Sequence, residues 1–432
     1  MSNKKTYKKA FIVIIILFFM WGLITVLVDS LIPRLKEIFE IDNTQAVLVQ
    51  FAFFGAYGLL SIPAGNLLHK IGYKKGIMLG LGIMGVGSLL FWPAASMRMF
   101  SFFMLGYFIL AAGMVILQVA ANPYVTALGD EKTASSRLNF AQAFNSLGTT
   151  IAPIVGAVFI LSDNIKSSEE IKLLSETAKE VYFSAEASAV QIPFLLLAFS
   201  LLLLVAIVFR SKLPQLLTSA VESNYMQALK HPRLSLGAIG IFFYVGAEVA
   251  IGSFLVNYFL DMEMADIIRN NGFMNSVASL FHGDDLSGVD DKGIVGSFNV
   301  LYWGGAMVGR FAGSYLTKIY KPQKVLSLFA ISAIVLVLIS MSTTGLVALW
   351  AILAVGLFNS IMFPTIFSLA IEGLGELKPQ GSGLLCTAIV GGAFIPLLFG
   401  YLSVEIGFKF AFVSAILCYA YILFYSKKVS SL

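Results

Sequence analysis

The sequence predicts an all-α polytopic membrane protein: twelve transmembrane helices in two pseudo-symmetric six-helix bundles. Three observations carry that prediction. Of 432 residues, 58% are hydrophobic and 12% charged, with a mean hydropathy of +0.87, whereas a soluble globular chain carries about 25% charged residues. About 20 apolar residues span a bilayer as a helix, and twelve such runs are present, at roughly 10–33, 45–68, 75–95, 100–127, 138–162, 190–209, 234–260, 293–317, 324–342, 345–370, 380–402 and 406–425. A polar, basic break follows the sixth run, so residues 1–210 and 235–432 read as two bundles joined by a linker at 211–234.

The N-terminus reads MSNKKTYKK before an apolar run with no small-residue cleavage site, which predicts an uncleaved first span. That span carries Thr25 and Asp29 on one face, and Pro33 closes it. Asp29 reads either as an interfacial acid beside Arg34 and Lys36 or as a titrating, cation-coupled carboxylate, because burial disfavours its charged form. Span 2 places Gln50, Phe54 and Tyr57 at i, i+4 and i+7. The turn after it, GNLLHKIGYKKG, combines glycines that permit close helix approach with Lys70, Lys74 and Lys75.

Span 4 carries Gln118 and Asn122, about 40° apart on a helix turning 100° per residue. The short polar segment GDEKTASSR leads into span 5, where Asn139, Gln142, Asn145, Ser146 and Thr149 fall within an arc of about 120°. Amides and hydroxyls at membrane depth are costly unless they face a partner or a water-filled cavity, so two such stripes predict a solute site. Neutral donors and acceptors suit a polyol better than an ion. In the second half, Tyr244 and Glu248 lie at i and i+4 on span 7. Glu248 reads either as a coupling acid or as a structural partner of Arg310, which is placed at the end of span 8. Asn299, Tyr302 and Trp303 offer an amide and two rings suited to a pyranose, Trp303 reading alternatively as an interfacial anchor. The segment Gly313 to Lys324 weakly repeats the turn after span 2, and Pro364 parallels Pro123, which sets Asn359 opposite Gln118. Such correspondence predicts a duplicated unit with its site at the repeat interface.

Lys and Arg fall unevenly: 20 of 29 lie on the side shared by both termini. Both termini are therefore expected in the cytoplasm, and this sidedness explains the net charge of +5 without a nucleic-acid partner. The long loops at 162–191 and 261–292 read as solvated, acidic segments, and His69, His231 and His282 as loop residues. Cys386 and Cys418 read as packed thiols. No nucleophile and base constellation, metal-ligand spacing or phosphate loop is found, so neither enzymatic activity nor a resident metal or cofactor is expected.

Four stretches, FFMWGLITVLVDSLIPRLK, QFAFFGAYGLLSIPAG, LQVAANPYVTALG and RLNFAQAFNSLGT, together with the G-x-x-L-x-K-x-G-Y-K pattern after span 2, resemble the major facilitator superfamily. In detail they look like its fucose:proton symporter family and that family's glucose/galactose transporter branch. The chain departs from the pattern at His69, where the superfamily signature has an Asp, and at Val28, which precedes Asp29. It also has Gln118 where fucose permeases carry a second acid. The resemblance implies a rocking two-domain transporter of the bacterial cytoplasmic (inner) membrane, importing a hexose with a proton or, alternatively, Na+. It implies coupling at Asp29, with Glu248 the candidate replacement for the acid missing at Gln118. The expected sugar-binding set is Gln118, Asn122, Gln142, Asn145, Tyr244, Asn299, Trp303 and Asn359. A monosaccharide and membrane lipid are the expected partners of a monomer. An uncoupled facilitator or exchanger, and a non-transporting sugar sensor, are the alternatives.

Overall fold

A computed structural model describes all residues except 1, 39–42, 160–170, 172, 217–223 and 284; side chains at 2–5, 28–38, 43–47, 50, 154–159 and 186–190 are also outside the description. Among the described residues there are helices and turns and no strand. The first half comprises α1 (Ser2–Ile38), α2 (Asn43–Met97), α3 (Phe100–Ala127), α4 (Ala134–Phe159) and α5 (Glu176–Arg210). After the short α6 (Tyr225–Leu229) come α7 (Pro232–Asp261), α8 (Met264–Asn270), α9 (Gly272–His282), α10 (Asp291–Gly296) and α11 (Asn299–Ile319). The chain ends with α12 (Pro322–Ser342), α13 (Gly345–Asn359), α14 (Met362–Ala370), α15 (Lys378–Thr387), α16 (Gly391–Ile406), α17 (Phe408–Ala411) and α18 (Val413–Val429).

Among the described residues, each of the twelve apolar runs is mostly helix. Nine windows of described residues are long and apolar enough to cross a membrane. One of them, Phe51–Met97, holds two runs, because α2 is broken at Gly72, whose φ of 78° and ψ of 165° reverse the chain between spans 2 and 3. Only glycine enters that region without a Cβ clash. The remaining two spans, α4 and α11, carry the polar side chains that lower their hydropathy. His69 is corrected from loop to helix, since α2 runs on to this break. His282 likewise ends α9, whereas His231 stays outside the helix, at the N-cap position of α7; the solvated segment 261–292 contains the helices α8 and α9 and the start of α10.

The chain divides into two compact units. Unit 1 is Met1–Asp130, Leu147–Ala228 and Leu374–Thr387; unit 2 is Glu131–Ser146, Leu229–Gly373 and Ala388–Leu432. Each therefore includes one short stretch from the opposite half: α15 joins unit 1, and the start of α4 joins unit 2. In unit 1, a Cβ on Gly65 would lie 2.8 Å from the Pro379 carbonyl oxygen, so α2 and α15 meet at a position only glycine allows. The Tyr225 hydroxyl donates to the Ile62 carbonyl at 2.5 Å. Burial pushes that phenol up to about 12, so it remains a donor at physiological pH. Lys74 Nζ donates to the carbonyls of Phe209 and Ser211 at 2.9 and 2.8 Å, placing a cation on the C-terminus of α5.

Candidate functional site

Unit 1 contributes an amide pair on α3. Gln118 is 7% exposed and Asn122 is fully buried, one helical turn apart as the spacing requires. Tyr57 Oη donates to Gln118 Oε1 at 2.7 Å, which joins the aromatic stripe of span 2 to the amide stripe of span 4. Thr25 Oγ1 turns back onto the Trp21 carbonyl at 2.9 Å. The backbone of Asp29 belongs to α1, while its side chain and that of Gln50 lie outside the described residues.

In unit 2 the start of α4 is sorted by height along the helix. Ser135 Oγ lies 2.5 Å from Ser368 Oγ, and Ser136 and Ser314 exchange hydroxyl-to-carbonyl bonds at 2.7 and 3.0 Å. Asn139 Nδ2 donates to the Ser135 carbonyl at 2.9 Å and to Thr365 Oγ1 at 3.1 Å. These polar groups hold α4 to its neighbours. Gln142, 7% exposed, and the partly exposed Asn145 follow on the same face. One step further, Ser146 accepts a hydrogen bond from Arg310 Nη1.

Arg310 is the centre of the second constellation. It sits midway along α11, not at the end where hydropathy alone put it. Its side chain is 14% exposed, Nη2 lies 3.6 Å from Glu248 Oε1, and Glu248 is 13% exposed. Nε donates to the Ser360 carbonyl at 3.1 Å. The 3.6 Å separation is an ion pair without a direct hydrogen bond, and Glu248 Oε1 has no hydrogen-bond partner among the described residues. One turn before Glu248, the Tyr244 hydroxyl is also buried without one. The Glu248–Arg310 pairing, one of the two roles the sequence leaves open for this acid, is thus present in the structure.

Tyr302 joins this group to Asn359. Its hydroxyl donates to the Glu248 carbonyl oxygen at 3.3 Å and accepts from Asn359 Nδ2 at 2.7 Å. Asn359 Oδ1 and Asn299 Oδ1 are buried without partners among the described residues. Trp303, 41% exposed, meets Tyr302 edge to face with ring centroids 5.1 Å apart. The Tyr302–Asn359 bond repeats, in the second half, the Tyr57–Gln118 bond of the first. In both, a tyrosine of the second span in the half pairs with an amide of the fourth. The correspondence of Gln118 with Asn359 was visible in the sequence; the tyrosine on each was not.

No group of three or more His, Cys, Asp or Glu side chains among the described residues is arranged to hold a metal ion. Each unit instead presents buried amides and phenols, and unit 2 adds one acid and one base. These can hydrogen-bond hydroxyls, stack on an apolar ring face and exchange a proton.

Comparison with known proteins agrees over the whole length. The chain is 48% identical over 427 residues to a glucose/galactose transporter of Brucella abortus biovar 1, covering 98% of this chain and 95% of that protein. It is 33% identical to the L-fucose-proton symporter of Escherichia coli, covering 99% and 94%. The crystal structure of the transporter FucP in the outward conformation superposes with a TM-score of 0.87 at 32% identity, covering 98% of this chain and 99% of that one. Residues 10–389 match the Major Facilitator Superfamily profile, and the chain belongs to that superfamily.

Proposed function

We propose that the protein is a secondary active transporter that imports a hexose resembling glucose or galactose together with a proton. The observation that carries this reading is the 48% identity, across nearly the full chain, to proteins named as glucose/galactose transporters. The 33% identity to an L-fucose-proton symporter supports the choice of the proton. In this reading Gln118, Asn122, Gln142, Asn145, Asn299 and Asn359 bind sugar hydroxyls. Trp303 and Tyr244 supply the aromatic surface, and Asp29 and Glu248 carry the cation. The protein acts as a monomer of the bacterial inner membrane without a cofactor, does no covalent chemistry on its substrate, and alternates two bundles, residues 1–210 and 235–432.

Uptake into proteoliposomes, with a panel of hexoses and with or without an imposed pH gradient, tests the proposal. Concentrative uptake of glucose or galactose that requires the gradient is the expected result. Equilibration at the same rate with or without it would make the protein a facilitator, and binding without flux a sensor. A buried hydrogen-bonding group left unpaired costs about 1–3 kcal/mol, so Gln142→Ala is expected to weaken sugar affinity about 5- to 100-fold with the fold intact. Unchanged affinity for every sugar would remove Gln142 from the site.

Both termini are proposed to be cytoplasmic. With Arg310 inside a span, 19 of the 29 basic residues remain on the terminal side. A cysteine at the exposed Ser287 is expected to react with an impermeant maleimide applied outside the cell, while Cys386 and Cys418 stay silent because both are buried. Reaction only in inside-out vesicles would reverse this topology.

A further inference from the structure

We propose that α9 is an interfacial helix, lying along the bilayer surface on the side where α7 ends, with its apolar face among the lipid chains. The sequence of this 11-residue helix, GFMNSVASLFH, divides into faces. Phe273, Val277, Leu280 and Phe281 recur at i, i+4, i+7 and i+8, a single stripe. It is turned away from the protein: Phe273 is 66% exposed, Leu280 80% and Phe281 53%. Met274 and Ala278 are buried inward.

The opposite stripe, Asn275, Ser279 and His282, is tied down by hydrogen bonds. Asn275 Nδ2 donates to the Arg269 carbonyl at 3.1 Å, and Ser279 Oγ to Asn275 Oδ1 at 3.3 Å. His282 Nε2 lies 3.1 Å from both the Gly293 carbonyl oxygen and Ser297 Oγ. Arg269 is itself held by Asp266 at 3.0 Å and Asp291 at 2.8 Å. The rotation of α9 about its axis is therefore fixed, and its apolar stripe has to face outward.

Lipid is the occupant because the stripe continues a surface that already faces the bilayer. The Phe273 ring lies 6.2 Å from that of Trp350 on α13. Trp350 in turn lines an apolar groove of about 430 Å³ with Leu336, Ile339, Leu346 and Val347. That groove opens between α12 and α13, both within membrane-crossing windows. Below it, α12 presents Leu328, Ile331, Val335 and Leu338, each 44–57% exposed, at membrane-facing spacing. With no lysine or arginine in α9, the attraction is burial of apolar area rather than charge on lipid headgroups.

The test uses the full-length protein in lipid nanodiscs, with an NBD fluorophore attached to Leu280→Cys and, as a solvated reference, to Ser287→Cys. Emission from position 280 is expected to be blue-shifted relative to 287. Its quenching by lipids carrying a doxyl group on the acyl chain should be several-fold stronger than its quenching by aqueous iodide. Iodide quenching equal to that at position 287 would show a solvated helix. Protection from both quenchers would show a protein partner, and either result overturns the proposal. Phe273→Cys repeats the measurement from the other end of the stripe if the first variant fails to accumulate.

Discussion

Arg310→Met is expected to destabilise the protein by about 3–5 kcal/mol, the usual consequence of removing one member of a buried ion pair and stranding the other. The guanidinium cannot shed its proton, so Glu248 supplies the compensating charge, and Ser146 and the Ser360 carbonyl only share the donors. Replacing both charges by methionine should recover most of the loss, because an apolar pair of similar volume has no charge to desolvate. Thermal unfolding of the single and double variants in detergent measures this. A double variant no more stable than Arg310→Met would sink the pairing. Glu248→Gln keeps the volume but leaves Arg310 permanently uncompensated, and it should lower concentrative uptake more than it lowers exchange.

Asp29→Asn is expected to abolish sugar accumulation against a gradient while leaving equilibrium exchange measurable. Gln118, at the position of the second acid of fucose permeases, cannot titrate, and its Oε1 is already engaged by Tyr57 at 2.7 Å. A cation shifts a conformational equilibrium only by its differential affinity for the two states, so some titrating group has to serve. Asp29 is the acid that the family pattern supplies, and asparagine fixes its neutral form at nearly constant shape. Concentrative uptake by Asp29→Asn, together with its loss in Glu248→Gln, would move the coupling site wholly to unit 2.

The helices were legible because a bilayer imposes length and hydropathy on a span, and both are properties of contiguous residues. The reversal between spans 2 and 3, at Gly72, falls inside the turn read from GNLLHKIGYKKG. The site was legible only as stripes. Gln118, Gln142 and Asn359 could be chosen because polar residues inside apolar runs are conspicuous, but their partners depend on helix register in three dimensions. Tyr57 reaches Gln118 across 61 residues, Asn359 reaches Tyr302 across 57, and Arg310 reaches Ser146 across 164. Arg310 was misplaced for a related reason: an isolated cation lowers hydropathy and so reads as the end of a span, unless the acid that neutralises it is known to be near. The lower members of the span-5 stripe, including Asn139, proved to hold helices together, a role that helical periodicity does not distinguish from facing a cavity.

The exchange of short stretches between the two units bears on how the chain is made. Unit 1 includes Leu374–Thr387, so its packing is incomplete until the ribosome has translated almost the whole message. Unit 2 includes Glu131–Ser146, which emerges early and has to wait for the helices it joins. In the interval Ser135, Ser136 and Asn139 lack the Ser314, Thr365 and Ser368 that satisfy them in the finished protein. The nascent first half therefore carries these polar groups unpaired within a membrane helix, and neither unit can complete its packing before the second half of the chain has been made.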